Sequence, residues 1–263
     1  MTVVAAHPQW IVPDWAAPRN VRTLITTRAG GVSGGPFAAG TGGGMNIGLK
    51  SGDVIENVRS NRARLRAVLP NEPCWLQQVH GATVVRADAA SAPATADAAI
   101  SLQPGCVCAV SIADCLPVLF ADRRGRAVGA AHAGWRGLAR GVLVATVAAL
   151  GELDADAGDL AAWLGPAIGP RAFEVGRDVL DAFAAADRGS DAFFVPTDDG
   201  KWLADLYALA RRQLAAAGVG EVHGGSHCTV AEAARFFSHR RDKAAGRMAS
   251  LVWITRSDAP ATL

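Results

Sequence analysis

The chain has 263 residues, half of them hydrophobic, which is enough to bury a sizeable core in one large domain or two small ones. Its formal net charge of +2 gives no case for nucleic acid or an acidic membrane surface as a partner. Five scattered cysteines argue against a disulfide framework and favour a reducing compartment. The N-terminus has no basic segment, and no apolar run approaches the ~20 residues of a membrane helix, so we expect a soluble cytoplasmic protein.

The first part of the chain predicts an irregular lead-in over residues 1–20, where three prolines break any helix. A strand is predicted over Val21–Thr26, and residues 29–44 then contain eight glycines. This Gly-rich stretch could be a flexible surface loop. With Arg28 at its start, it could instead bind an anion through backbone N–H groups, although it lacks the Gly-Lys-Ser/Thr ending of a nucleotide-binding P-loop.

A helix is predicted after Asp53, which together with Glu56 forms the pattern of a capping box. Apolar residues recur along one face of this helix until Pro70 ends it. Asn61 and Arg62 also lie on the helix and could face either solvent or a site.

The middle of the chain predicts short strands at residues 83–85, 98–100, 106–113, 118–121 and 127–131. A charged turn joins the last two strands into a β-hairpin. Cys115 enters this hairpin and His132 leaves it, so the hairpin should bring the thiol and the imidazole to the same end. Neighbouring Cys and His side chains indicate either a metal site or an activated nucleophile. Cys106 and Cys108 alternate along their strand, and without a matching second pair we interpret them as core thiols.

The second half of the chain predicts helices at 138–150, 177–186 and 203–217, strands at 160–164 and 248–255, and a loop at 187–202. The alternation of strands and helices favours an α/β fold (α+β with mixed sheets) in one compact unit.

Three residues of the chain could bind a soft divalent metal, because His80, Cys115 and His132 each lie at a predicted strand end or turn. Two nitrogens and one thiolate with an open fourth position form the catalytic zinc pattern, and zinc would lower the pKa of bound water to roughly 7. The spacing alone leaves three interpretations open: a zinc site, a Cys–His nucleophile pair, or ordinary turn and core residues.

Six motifs stand out along the chain: Thr27–Ser33, Gln77–Gly81, Ala113–Pro117, Ala131–Gly137, Gly165–Gly169 and Phe237–Asp242. Together they resemble the motifs of the YfiH family, also called the laccase-domain or polyphenol oxidoreductase family, which includes the mammalian protein FAMIN. Their order and spacing agree with the family from about residue 22 to 255. The Gly-rich insert after Ser33 is longer than the family pattern, which leaves the shape of that loop open.

The resemblance implies one domain over residues 1–263, similar to the catalytic domain of a bacterial deamidating toxin that uses a Cys–His pair. It implies that His80, Cys115 and His132 hold a metal, with Zn²⁺ expected and copper as the alternative. The implied activity is phosphorolysis of adenosine, inosine, guanosine and methylthioadenosine, together with deamination of adenosine. We expect a monomer or a small homo-oligomer, with purine nucleosides and phosphate as its partners.

This chemistry assigns roles to residues of the matching motifs. His80, Cys115, His132 and Asp114 are the expected catalytic residues. Asp114 could shuttle a proton or orient a ligand His, as could Asp97, although Asp114 could equally cap a turn.

Phosphorolysis also requires an anion site beside the ribose. Arg28 with the Gly-rich stretch is our phosphate-binding candidate, Arg62 is a weaker one, and Asn46 and Gln78 are further substrate-binding candidates. Arg240 and Arg241 could be substrate clamps or surface charges.

Three other functions are compatible with these residues. A copper phenol oxidase fits the older family name, but multicopper oxidases need many more histidines than the six present. A metal-free amide hydrolase, with Cys115 as nucleophile and His132 as base, fits the family's implied ability to trim wrongly built peptidoglycan precursors. A non-enzymatic binding module is the third.

Overall fold

The computed structural model describes residues 5–89 and 93–255. Its strands are β1 Val21–Ile25, β2 Ala29–Ser33, β3 Pro73–Cys74, β4 Leu76–Gln77, β5 Val84–Arg86, β6 Ala94–Thr95, β7 Ala98–Ser101, β8 Val107–Ile112, β9 Leu116–Asp122, β10 Val128–Ala133, β11 Leu160–Leu164, β12 Glu174–Val175, β13 Phe194–Pro196, β14 Trp202–Ala204, β15 Glu221–Gly224 and β16 Met248–Ile254. Its α-helices are α1 Ile55–Ala67, α2 Trp135–Ala139, α3 Val142–Gly151, α4 Arg177–Ala186, α5 Leu206–Ala216 and α6 His239–Asp242. Among the described residues, none of these helices combines the length and apolar character needed to cross a membrane.

Two large sheets form the centre of the fold. One has six strands in the order β15-β11-β9-β10-β7-β5, and the other has four in the order β1-β16-β8-β3. The six-stranded sheet is antiparallel at its centre and parallel at both edges, where β11 pairs with β15 and β5 pairs with β7. The predicted α/β fold with mixed sheets is therefore confirmed.

The hairpin strands β9 and β10 lie in the middle layer of the molecule, and all their residues are buried. Successive side chains of a strand point to opposite faces. Val118 and Phe120 accordingly pack in the cluster that contains the helices, whereas Leu119 and Ala121 pack against the four-stranded sheet. Burial on both faces explains why the two strands read as continuous apolar runs.

The register of this hairpin sets the geometry of the candidate site. His132 pairs with Pro117, and Ala133 pairs with Leu116. Cys115 immediately precedes Leu116, so the thiol and the imidazole lie at the same end, as the hairpin prediction required.

Two helix boundaries differ from those predicted. Helix α1 has Val54, not Asp53, at its N-cap, because the Asp53 carboxylate instead accepts hydrogen bonds from the Val54 N–H and the amide of Asn46. Helix α5 begins at Leu206 rather than at 203, because Asp205 caps it by accepting a bond from the N–H of Ala208 at 3.0 Å. Residues 202–204 pair as strand β14 instead.

Two other segments contain more structure than the sequence indicated. The helix predicted over 138–150 is divided into α2 and α3 at Gly141, whose φ of 81° is a left-handed conformation that suits glycine. The predicted loop over 187–202 contains β13, which pairs with β14.

The Gly-rich stretch is closely packed rather than a flexible loop. It contains strand β2 and a short 3-10 helix over Gly35–Phe37. A Cβ atom on Gly44 would lie 1.5 Å from the carbonyl oxygen of Phe37, and one on Gly31 would lie 2.1 Å from that of Gly44. Glycine is therefore required where these backbone segments touch.

Candidate metal centre

Asp97, fully buried just before β7, organises the turn that carries His80. The backbone N–H groups of Val79, His80 and Gly81 all donate to its carboxylate, at 3.1, 2.9 and 2.7 Å. His80 adopts a left-handed φ of 59°, an uncommon conformation for a non-glycine residue. The convergence of three donors on one carboxylate accounts for this conformation.

The same carboxylate orients the second histidine. Nδ1 of His132 lies 2.9 Å from Oδ1 of Asp97, and the backbone N–H of His132 donates to the carbonyl of Asp97 at 2.7 Å. Burial raises the pKa of Asp97, but His132 and the N–H groups of Gly81 and Val79 outweigh it, so the pKa lies below its usual value. A carboxylate that accepts from Nδ1–H leaves Nε2 as the free nitrogen of the imidazole.

His80, Cys115 and His132 meet at the end of the hairpin. Each offers one ligand atom, and these atoms all lie within 4.8 Å of one another. Nε2 of His80 is 3.8 Å from Sγ of Cys115, and the two imidazole rings meet edge to face with centroids 4.9 Å apart. In a tetrahedral zinc site, bonds of about 2.3 Å to sulfur and 2.0–2.1 Å to nitrogen place those atoms roughly 3.6 Å apart. The donor set and the 3.8 Å separation of Nε2 of His80 from Sγ of Cys115 therefore fit a zinc ion.

Gly134 leaves room for these ligands. A Cβ atom at this position would lie 2.8 Å from Sγ of Cys115 and 3.2 Å from Cδ2 of His80. Because side chains do not approach sulfur so closely, any larger residue would displace the thiol or the ring.

The metal-free ligands form an ion pair. Burial raises the pKa of Cys115, but His132 and His80 lower it further, to about 6. Burial lowers the pKa of His132, whereas the Cys115 thiolate and Asp97 raise it to about 9. Each group therefore favours the charged form of the other, a thiolate beside an imidazolium, and the thiolate is the form that binds metals.

Asp114 lies beside Cys115 in the sequence, but its hydrogen bonds hold the backbone turn in place. Its two carboxylate oxygens accept bonds from the hydroxyl of Thr229 at 2.5 Å and the backbone N–H of Arg240 at 2.6 Å, and its carbonyl accepts from the N–H of Ile168. Its φ of 85° is left-handed. The structure thus places Asp114 as an anchor for the turn that presents Cys115, outside the group that could hold a metal.

Two predicted substrate-binding residues, Gln78 and Asn46, form hydrogen bonds within the protein. The side-chain amide of Gln78 exchanges three hydrogen bonds with Ser111, which ties the His80 loop to the end of β8. Asn46 is fully buried, donates to Ser51 and Asp53, and accepts from backbone N–H groups that include that of Arg247.

The predicted phosphate-binding arginines are occupied by other contacts. Arg28 donates to the carbonyls of Ala38 and Pro36 within the Gly-rich stretch and forms an ion pair with Asp242 at 3.7 Å. Arg62 donates to the carbonyl of Ile47, and its guanidinium stacks on Trp75 at 4.3 Å from the ring centroid. Arg240 and Arg241 likewise donate to backbone carbonyls.

The sequence analysis did not identify Gly134 as the residue that leaves space for the ligands, and it did not consider Arg247. Arg247 lies next to the Cys115 turn, because Met248 of β16 pairs with Ile112 of β8. No local motif marks Arg247, since its position depends on a strand pairing between distant parts of the chain.

Comparison with known proteins places these residues in a family. A family model described as multi-copper polyphenol oxidoreductase laccase matches residues 22–255. A purine nucleoside phosphorylase of Pseudomonas aeruginosa is 52% identical over 246 residues, covering 93% of this chain and 98% of that protein. The purine nucleoside phosphorylase YfiH of Escherichia coli is 49% identical over 247 residues, covering 93% and 98%.

Solved structures agree with the fold. The Neisseria meningitidis protein NMB0706 superposes with a TM-score of 0.87 at 50% identity, covering 94% of this chain and 100% of that one. YlmD from Geobacillus stearothermophilus gives a TM-score of 0.81 at 31% identity, covering 91% and 94%. These matches confirm the resemblance seen in the six motifs, and the chain belongs to the multi-copper polyphenol oxidoreductase laccase family that includes the YfiH proteins.

Proposed function

We propose that this chain is a zinc-dependent purine nucleoside phosphorylase whose reaction centre is the group His80, Cys115 and His132. The observation that carries the proposal is the convergence of these three ligand atoms within 4.8 Å. The names of the relatives from Pseudomonas aeruginosa and Escherichia coli support the reaction. We retain inosine, adenosine, guanosine and methylthioadenosine as proposed substrates, with deamination of adenosine as a second proposed activity.

Zinc is the metal that we propose, with copper as the alternative. A thiolate and two imidazoles suit zinc, and three protein ligands with an open fourth position are typical of its catalytic sites. Bound there, zinc would supply Lewis-acid chemistry at the substrate.

The protein residues have separate tasks in this proposal. Asp97 holds His132 with Nε2 free and fixes the turn that presents His80. Asp114 fixes the turn that presents Cys115 through its bonds to Thr229 and Arg240. We therefore propose Asp97 and Asp114 as positioning residues.

Arg28, Arg62, Asn46 and Gln78 remain proposed substrate-binding residues. The single domain over residues 1–263, the cytoplasmic location and the monomeric or small oligomeric state also remain predictions.

A second candidate function is an amide hydrolase with Cys115 as nucleophile and His132 as base. It is favoured by the low pKa of Cys115, about 6, because thiolates at neutral pH are reactive nucleophiles. Peptidoglycan precursors are its proposed substrates.

Incubation of the zinc-loaded protein with inosine, with and without phosphate, tests the proposal when free hypoxanthine is measured by chromatography. We expect phosphate-dependent release that is lost in Cys115→Ala. If neither inosine nor adenosine reacts with folded, zinc-loaded protein, the phosphorylase proposal is wrong, and the amide hydrolase becomes the better account.

A further inference from the structure

Arg247 lies at the same end of the four-stranded sheet as the turn that carries Cys115. Met248 pairs with Ile112, so Arg247 immediately precedes β16 where the Cys115 turn follows β8. Its backbone is fixed, because its N–H donates to Oδ1 of Asn46 at 2.8 Å and its carbonyl accepts from the N–H of Ile47 at 3.0 Å.

The aliphatic stem of Arg247 passes over Gly48. A Cβ atom on Gly48 would lie 2.7 Å from Cγ of Arg247 and 3.1 Å from its Cβ. Gly48 therefore allows the stem to lie flat, so backbone and stem are both held in place before any ligand binds.

The guanidinium of Arg247 keeps two nitrogens free of protein acceptors. Nη1 donates to the carbonyls of Ala245 at 2.7 Å and Gly246 at 3.3 Å. Within residues 5–89 and 93–255, Nε and Nη2 form no hydrogen bond to the protein. Within the described residues, the fully buried side-chain atoms that lack a hydrogen-bond partner belong to Ser190, Gln213 and Ser250. Nε and Nη2 of Arg247 are not among them, so these two nitrogens are not fully buried.

The charge of Arg247 is not neutralised by an ion pair. In the described part of the chain, none of the carboxylates lies within ion-pair distance of its guanidinium. Burial lowers the pKa of Arg247, while Cys115 and Asp114, which lie close to it at this end of β8, raise it. An arginine remains protonated at neutral pH under such shifts.

Arg28 and Arg62, the other arginines considered for an anion site, differ from Arg247 in the contacts of their guanidinium groups. Arg28 uses Nε and Nη2 on backbone carbonyls and Nη1 on Asp242, and Arg62 is stacked on Trp75. Burial lowers the pKa values of Arg28 and Arg62, and the neighbours that raise them are Asp242 and Glu72 rather than Cys115. Of these three arginines, Arg247 is therefore the one best placed to meet an anion at the centre.

We propose that Arg247 binds the phosphate that attacks the nucleoside. This inference rests on the proposed phosphorylase function. Phosphorolysis forms a bond from a phosphate oxygen to C1′ of the ribose and breaks the bond from C1′ to the purine nitrogen. The electron pair of the broken bond leaves with the purine, which takes up one proton from solvent. Two free guanidinium donors on one edge match two phosphate oxygens.

Initial rates with inosine, measured against phosphate concentration, test the role of Arg247. We expect Arg247→Gln to raise the KM for phosphate by about tenfold to a hundredfold, since the charge-assisted pair of donors is lost, with the KM for inosine nearly unchanged. Arg247→Lys keeps the charge but loses the planar pair of donors. Its KM for phosphate should therefore lie between those of the wild type and Arg247→Gln. Arg211→Gln is the matched control, because Arg211 also donates to two backbone carbonyls, those of Val222 and Gly224, and should leave both KM values unchanged.

A purely structural role for Arg247 would give a different pattern, in which Tm falls and both KM values and kcat change together. An unchanged KM for phosphate in folded, zinc-loaded Arg247→Gln would overturn the inference. If the wild type releases no hypoxanthine, the phosphorylase proposal fails, and calorimetric titration with inorganic phosphate still decides the anion site. Phosphate that binds the wild type and not Arg247→Gln supports the site, whereas equal binding or no binding to the wild type overturns it.

Discussion

Oδ1 of Asp97 lies 2.9 Å from Nδ1 of His132, and the same oxygen accepts the backbone N–H of His80 at 2.9 Å. One buried carboxylate thus fixes one ligand through its ring and another through its backbone. The two histidines are far apart in the sequence, so the relative position of the metal ligands depends on this residue.

We expect Asp97→Asn to lower the affinity for zinc by about tenfold to a hundredfold, because loss of the partner of a metal-binding His has effects of this size. The neutral amide can accept on only one atom, and its NH₂ group would face N–H donors of the His80 turn. Competition with a chromophoric chelator measures the affinity. Asp122→Asn is a control, because Asp122 is also fully buried but binds Arg124 and Arg126 at the hairpin turn. Equal zinc affinity in Asp97→Asn and the wild type would contradict the positioning role.

Gly134→Ala should impair metal binding without unfolding the protein. Its methyl group would lie 2.8 Å from Sγ of Cys115, so the thiol must move away from the histidines. Metal content per chain after dialysis against zinc measures the effect. Gly151→Ala is the matched control, because a Cβ atom there meets nothing within 4 Å. Full zinc content in Gly134→Ala would show that the site tolerates this displacement.

The alkylation of Cys115 in the zinc-free protein should follow a titration near pH 6. His132 holds the pKa of this thiol below its usual value, so the reactive thiolate is present above about pH 6 and is lost as the pH falls through that value. Iodoacetamide labelling at a series of pH values, read by peptide mass spectrometry, gives the midpoint. Cys106 is an internal control, since burial raises its pKa. A midpoint for Cys115 near 9 would contradict the ion pair, and saturation with zinc should suppress the labelling.

Tyr207→Phe should destabilise the protein without removing the metal ligands. The buried hydroxyl accepts the N–H of Ala167 at 2.9 Å and contacts the carbonyl of His227 at 2.7 Å. Loss of the hydroxyl leaves a buried N–H without its partner, which costs about 1–3 kcal/mol. Urea unfolding measures the free energy, and zinc content should remain that of the wild type. A loss below about 0.5 kcal/mol would mean that another group satisfies this amide.

The hairpin was predictable because local signals define it. Two apolar runs joined by the charged turn 122–126 define both strands, and the short turn between them sets their register. The meeting of Cys115 with His132 follows directly. The position of His80 beside them is not contained in this local pattern. Its place at a predicted turn made a three-ligand site one of three open interpretations, and the family resemblance favoured that one.

Residues that act through long-range contacts were harder to assign. Asp114 and Gln78 belong to motifs near the ligands, but their partners Thr229 and Ser111 come from other parts of the fold. The Gly-rich stretch suggested flexibility because composition does not reveal that Gly31 and Gly44 touch neighbouring backbone. Arg247 reaches the site through the pairing of β16 with β8, which no short pattern encodes.

Titration of the metal-stripped protein with zinc, with phosphate-dependent cleavage of inosine recorded at each addition, tests the central claim most directly. The account predicts that activity rises in proportion to bound zinc until one ion per chain is bound, and that Cys115→Ala neither binds this ion nor gains activity. Full activity in the stripped protein, or a rise with zinc that Cys115→Ala shares, would contradict a reaction centred on His80, Cys115 and His132.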